Sequence, residues 1–375
     1  MRHSDVIIIG AGVVGASVGY YLAKKRLKVC LLEKSYPTSG STGKAIGGVR
    51  QQFSHELTIR IMMESVKIFS SLSEELAIDI EWYSGGYLFL AHSEEVKNNY
   101  LKAMEIQKRY NLPVRFLTPE ECQKIVPSLS LDGLLGGAFC PTDGQANPFK
   151  VTFGYLEMIK RLGGKIFTYT TVKEIKKKGR GFFVRTDKNE IYAADTVINC
   201  AGPWASEVGK LLNCHIPVYP ERHEGLVTEE YPYSFEPMIV DYRADGCYFF
   251  QFHSTQHIIG CYTPVPPVFG LDTNSTFEFL SEMPRRMQRL IPDLGEVKVL
   301  RQWAGSYEMT PDGNPIVSET EIDGFYVVAG MCGHGFMLAP AIGKLFAEKI
   351  VQGKSSIPLD EFRLDRDFGK KEVMR

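Results

Sequence analysis

The chain has little of what nucleic acid, lipid surfaces or metals require. Its 43 Lys and Arg against 44 Asp and Glu leave a formal net charge of -1. No surplus of positive charge draws it to a phosphate backbone or an anionic membrane, so nucleic acid is not an expected partner. No apolar run is long enough to span a bilayer; the opening one, Val6 to Ile9, ends in glycine. The eight cysteines contain no CxxC pair and no metal-ligand spacing, so no metal site is expected and the thiols read as buried and reduced. No basic-then-apolar leader opens the chain, and with reduced thiols this predicts a cytoplasmic protein. Internal repeats and low-complexity tracts are missing too. What remains is a globular composition, 44% hydrophobic and 23% charged, in 375 residues that suffice for one composite domain or two ordinary ones.

Glycine, in contrast, is clustered at both ends. "DVIIIGAGVVGASVGYYLAKKRLKVCLLEK" reads as strand, tight turn, helix, strand. The β-branched run Val6 to Ile9 suits a parallel strand buried on both faces. Gly10, Gly12 and Gly15 follow in GxGxxG spacing, with Val14 inside the turn. Gly10 permits the turn, Gly12 admits a pyrophosphate to the backbone, and Gly15 lets the helix Ala16 to Lys25 pack closely on the strand. The second strand, Lys28 to Leu32, ends at Glu33 and Lys34. A carboxylate there accepts hydrogen bonds from ribose hydroxyls and repels a 2′-phosphate. The pattern predicts a bound dinucleotide but does not separate NAD from FAD.

The next segment, "SGSTGKAIGGVRQQF", offers the hydroxyls of Ser41 and Thr42, then Ala45, the pair Gly47–Gly48, and Arg50. A second glycine-rich approach of this kind suits a flavin, whose ring lies extended beyond the pyrophosphate. Here the chain resembles the D-amino-acid-oxidase-like superfamily of FAD-dependent oxidoreductases, which includes glycine oxidase, the sarcosine oxidases, dimethylglycine dehydrogenase and dye-linked L-proline dehydrogenase. Three later stretches extend the likeness. "TTVKEIKKKGRGFFVRTDKNEIYAADTVINCAGPWA" is similar to the family's β-hairpin and returning strand, which implies backbone contact from Val172 near the adenine. Ala201 and Gly202 then match the small-residue turn beside the phosphates, followed by Trp204. "WAGSYEMTPDGNPIV" carries Gly305 and the family's Thr-Pro-Asp-Gly turn. "GMCGHGFMLAPAIG" matches the turn under the flavin pyrimidine, implying cofactor contacts from Gly333, His334, Gly335, Phe336 and Met337.

The resemblance implies an α/β chain. A Rossmann-like FAD-binding domain of glutathione-reductase type is assembled from roughly 1–80, 141–215 and 310–362. Segments 81–140 and 216–309 form an α+β substrate domain on a mixed or antiparallel sheet. The charged run from Asp360 onward, including 363–375, reads as a solvated tail.

Departures from the family narrow the chemistry. Glycine-oxidase-like relatives carry a carboxylate-clamping arginine where this chain has Tyr307, and monomeric sarcosine oxidases carry a lysine where it has Met337. The stretch "TQHIIGCY" also offers no lysine of the kind that activates O2 in those oxidases. The pattern resembles instead the β subunits of multi-subunit sarcosine oxidases and archaeal dye-linked L-proline dehydrogenases, implying a partner subunit for electron transfer. In the former, a histidine near this chain's Pro148 attaches a second flavin, FMN; proline there argues against a covalent FMN and leaves a non-covalent one at a subunit interface open. Cys332 stands out of register with the cysteine that attaches FAD in some relatives, so FAD is expected to be non-covalent. For the substrate carboxylate the candidates are Arg50, His223, Arg243 and Arg301, walled by Tyr248, Tyr262 and Tyr307.

The expected activity is FAD-dependent oxidation of the C–N bond of a secondary amino acid, L-proline first and sarcosine second, by hydride transfer to flavin N5 and on to an acceptor other than O2. A glycine or D-amino-acid oxidase producing H2O2 is the rival enzyme. A non-catalytic electron-transfer subunit is the rival of another class.

Overall fold

A computed structural model describes residues 2–369. The apolar run at the start forms the strand Arg2–Ile9 at the centre of one sheet. The order across this sheet is Ile316–Glu319, Phe325–Ala329, Ile191–Asn199, Arg2–Ile9, Val29–Leu32, Lys165–Phe167. All neighbours in the row pair in parallel except the antiparallel edge strand Ile316–Glu319. A hairpin, Val172–Lys178 and Gly181–Thr186, folds antiparallel onto Ile191–Asn199, as the resemblance implied. Helices cover the buried strands, so the central ones are apolar on both faces.

Two helices cross on this sheet, Val13–Lys24 after the first glycine turn and Gly335–Gln352 after the last. The first begins three residues earlier than the apolar spacing suggests, because Gly12 serves as its N-cap. They approach closely where Gly343 faces Ser17: a Cβ at Gly343 would lie 2.2 Å from Ser17 Oγ.

The second sheet runs Val299–Met309, Tyr219–Glu230, His257–Tyr262, Tyr248–Gln251, Met238–Asp241, Tyr87–Ala91, Gly136–Cys140, Arg115–Leu117. It is mixed: only Met238–Asp241 and Tyr87–Ala91 pair in parallel. Side chains alternate between its faces. Leu88, Leu90, Ile239, Phe249 and Ile258 join the helix Phe277–Leu290 in one core, while Tyr87, Phe89, Met238, Val240 and Tyr248 face the other way, toward the first sheet.

The run expected to be a solvated tail is anchored. Phe362 is buried, and Arg366 donates to both carboxylate oxygens of Asp312 at 2.8 and 2.9 Å, in a pair almost closed to solvent. A charge run exposes its charges only when no buried partner awaits them. Asp312, in the Thr-Pro-Asp-Gly turn, is that partner. Residues 370–375 lie outside the described residues. Among the described residues, no helix is long and apolar enough to cross a membrane.

Replacing Gly343 with Val should force the two crossing helices apart and cost about 1–3 kcal/mol of stability. A thermal melt of Gly343→Val against the parent chain measures this; an unchanged Tm would mean that the crossing has room to spare.

Candidate active site

The parallel strands Arg2–Ile9, Val29–Leu32, Ile191–Asn199 and Phe325–Ala329 end at one edge of the first sheet. Beyond that edge lie Gly10–Gly12, Glu33, Cys200–Gly202 and Gly330–Gly335, at the place where open α/β sheets bind ligands. The glycine turns from the two ends of the chain are therefore neighbours, one strand apart. Gly10 (φ +105°) fits only without a side chain, since a Cβ would stand 2.4 Å from the Cys200 carbonyl oxygen. Gly15 backs this turn against the Gly10 carbonyl and does not face the cavity.

Two cavities, of about 390 and 360 Å³, open here and share the wall residues Val13, Val14, Ser41, Thr42 and Glu308. The first is lined by Gly10, Gly12, Glu33, Lys34, Val172, Ala201, Gly202 and Trp204. Glu33 accepts from Ala11 N at 2.9 Å and Ser35 N at 2.8 Å, which aims its carboxylate across the turn with lone pairs to spare. The Lys34 ammonium lies 3.1 Å from the centre of the Trp204 ring, and burial lowers its pKa.

The second cavity is lined by Ala45, Gly47, Gly48 and Arg50 from the approach loop, and by Gly333, His334, Gly335, Phe336 and Met337 at the N-terminus of the last helix. From the second sheet come His223, Tyr248, Gly305 and Tyr307. Tyr307 stacks on His223 (ring centroids 3.7 Å, 15°) and shares a hydrogen bond of 2.9 Å with Tyr248. Its ring also lies against Gly333 (φ +83°), where a Cβ would come within 2.3 Å of it. Burial raises the pKa of both tyrosines, so their hydroxyls stay protonated donors. His223 Nε2 lies 3.0 Å from Glu221 Oε1.

Arg50 is buried. Its guanidinium lies over the Phe53 ring (3.9 Å), donates to the Gln52 carbonyl and meets His334 Nε2 at 3.1 Å. Beneath it Asp143 accepts from Gln51 N at 2.7 Å and Gln52 Nε2 at 3.1 Å; burial raises the Asp143 pKa to about 6.

Three candidates lie elsewhere. Tyr262 follows Cys261, which lines the cavity, so strand alternation turns it to the opposite face, where it stacks on Phe279 under the Arg286 guanidinium. Arg301 pairs with Val227 at the far end of its strand, exposed and roughly 20 Å along from Tyr307. Arg243 turns back on Asp241, with Nη2 2.7 Å from Oδ2. The sequence reading also passed over residues that do line the second cavity: Lys44, Glu221, Tyr242 and Trp303, with Glu308 on the shared wall. Lys44 lay between Thr42 and Ala45 in a loop already singled out. Glu308 lay inside the quoted "YEMTPD". Glu308 is brought to the cavity by the pairing of Val299–Met309 with Tyr219–Glu230, and Lys44 by the turn Ser41–Lys44 that packs against the same strand.

A two-lobed cavity with a glycine turn and an acceptor at one end and a second helix N-terminus at the other fits a dinucleotide with an aromatic group at each end. Comparison with known proteins names it. The model of the family "FAD dependent oxidoreductase" matches residues 5–349. The chain belongs to this family. It is 28% identical to glycine oxidase of Geobacillus kaustophilus, over 99% of both chains. It is 27% identical to sarcosine oxidase subunit beta of Rhodobacter capsulatus, over 97% of this chain and 89% of that one. The crystal structure of L-proline dehydrogenase from P. horikoshii superposes with a TM-score of 0.93 at 33% identity, over 99% of both chains.

In this FAD-dependent oxidoreductase all eight cysteines are buried and unpaired. Cys332 lines the second cavity, but its thiol is hydrogen-bonded to Thr310 Oγ1 and the Gly330 carbonyl, and burial raises its pKa to about 12. Such a thiol is a poor nucleophile. Among the described residues no group of His, Cys, Asp and Glu is set to hold a metal.

Replacing Gly10 with Ala should abolish flavin retention and cost about 1–3 kcal/mol through the positive φ alone. The flavin-to-protein absorbance ratio after purification reads the first effect. A variant as yellow as the parent would show that the turn does not hold the cofactor.

Proposed function

We propose that the chain oxidises the C–N bond of a secondary amino acid, L-proline first and sarcosine second, and passes the electrons to an acceptor other than O2. The carrying observation is the substrate wall. Where glycine-oxidase-like relatives place an arginine, Tyr307 is neutral, stacked on His223 and bonded to Tyr248. That leaves Arg50, held at the floor of the cavity by Phe53 and His334, to meet the substrate carboxylate. The tyrosine hydroxyls then orient the amine. Tyr87, Phe89, Met238 and Val240 line the same cavity and suit a ring of methylenes while excluding water. FAD, when bound, supplies the hydride acceptor. The N-terminus of Gly335–Gln352 opens on the same cavity, where its N–H groups favour negative charge on the reduced flavin.

Further parts of the proposal rest on likeness and composition. FAD is non-covalent, in keeping with the inert Cys332. The likeness to a sarcosine oxidase subunit beta supports a role as catalytic subunit of a complex. The buried unpaired cysteines support a cytoplasmic setting. The two sheets are read as two domains with the bounds given above. Pro148, the first residue of the helix Pro148–Arg161, has no group to attach an FMN covalently, and nothing in the cavities described assigns a non-covalent one.

Lys44 favours the rival oxidase, because it places a cation in the ring-side wall where sequence comparison found none. Assays with L-proline, sarcosine, glycine and D-alanine, each with a dye or O2, should give the highest kcat/KM for L-proline with the dye. Rapid H2O2 from glycine, with no turnover of proline, would reverse the choice. Anaerobic addition of L-proline should bleach the flavin of the isolated chain; a flavin that stays oxidised would make it an electron-transfer subunit. Arg50→Ala should lose about 1.5–3 kcal/mol of charged hydrogen bonding, a fall of roughly 10- to 150-fold in kcat/KM with flavin content retained.

A further inference from the structure

Glu308 is a buried acid that the proposed chemistry does not use. It is only 8% exposed and lines both cavities, at the wall where they meet. Its Oε2 accepts from Gly330 N at 3.0 Å. Carbons built at Gly202 and Gly335 would come within 3.8 and 3.6 Å of its two oxygens, so both turns pass closely over the carboxyl. Backbone N–H groups of Gly330 and Met331 are its local support, and no Lys, Arg or His among the described residues forms an ion pair with it. The hydroxyl of Ser41 on the same wall is spent on the Ser306 carbonyl.

The shared wall, which holds Val13 and Val14 at the start of the first helix together with Thr42 and Glu308, is where a dinucleotide spanning the two cavities would carry its phosphate-bearing linker. An ionised carboxylate here, buried and without a counter-cation, would repel the phosphates, and each negative group would disfavour the other. The neutral acid supplies a donor instead. We propose that Glu308 holds FAD as the carboxylic acid, its O–H donating to an oxygen of the phosphate-bearing linker, so that FAD binding takes up one proton. This rests on reading the cavities as the FAD site. Position at the shared wall without a counter-cation decides the role; burial acts in the same direction and, outweighing the Gly330 and Met331 N–H groups that favour the carboxylate, raises the Glu308 pKa to about 7 in the chain alone. The other titratable groups nearby are Cys200 and Cys332, whose thiols burial keeps neutral, and Tyr307, also kept neutral. Farther along the cavity walls stand Glu33, Lys34, Lys173 and Glu207 on one side, and Lys44, Arg50, Glu221, His223, Glu224 and His334 on the other.

The sign follows from linkage. If the bound state requires the proton, affinity is full below the pKa of the free chain and falls as pH rises above it. FAD should therefore bind the flavin-stripped chain roughly 50-fold more weakly at pH 9 than at pH 7, for a group titrating at about 7. Quenching of flavin fluorescence measures the affinity. Glu308→Gln keeps a donor and loses the proton, so its affinity should match the parent at pH 6 and stay flat to pH 9. In the parent, calorimetry at pH 8 in buffers of different ionisation enthalpy should show uptake approaching one proton per FAD, a readout that needs no variant. FAD binding that is flat or tightens with pH in the parent, or a slope unchanged in Glu308→Gln, would overturn the proposal while leaving the FAD site intact. Failure to bind FAD at any pH would instead overturn the site.

Discussion

Parallel hydrogen bonding among Arg2–Ile9, Ile191–Asn199 and Phe325–Ala329 holds the whole site together. The registers Ile9 with Asn199 and Asn199 with Val327 bring three loops from distant parts of the chain to one level of one sheet edge. Each turn then meets its neighbour at contact distance. The Cys200 carbonyl closes over Gly10, and Glu308 reaches the Gly330 N–H. A slip of one residue in either register would turn the strand's buried side chains to the wrong face and draw the turns apart.

The second sheet is fastened to the first through the short turn Ser41–Lys44. Ser41 donates to the Ser306 carbonyl and Trp303 to the Lys44 carbonyl at 3.0 Å, so one short loop ties the strand Val299–Met309 to the edge of the first sheet. The walls of both cavities are thereby positioned by the same few hydrogen bonds. The pairing of Val299–Met309 with Tyr219–Glu230 sets Tyr307 beside Glu221 and Gly305 beside His223, assembling the aromatic wall from two strands.

Charge in this site is handled by burial. Two carboxyls, Asp143 and Glu308, sit inside with their pKa values raised, and the tyrosines stay neutral. Against them stands Arg50, spread over aromatic faces and held by His334.

The opening strand, glycine turn, helix and Glu33 were legible in the sequence because each depends on neighbours within a few residues: periodicity, a positive φ, a strand end. The glycine turn before the last helix was legible for the same reason; the hairpin that folds onto Ile191–Asn199 came from the family resemblance. Which side chains share a cavity was not. Tyr248 and Tyr262 look alike as strand tyrosines, and only alternation within the paired sheet puts one in the site and the other under Phe277–Leu290. Arg301 and Arg366 are both arginines in polar stretches, yet one is left in solvent and the other buried on Asp312. Lys44 and Glu308 were hidden in quoted motifs, because a spacing does not say what stands opposite. By itself the sequence determined the local elements and the bound dinucleotide they imply, since those are short-range geometry, and its family likeness narrowed the dinucleotide to FAD. Tertiary structure alone decided which side chains and charges line the second cavity, since both arise from contacts between residues far apart in the chain.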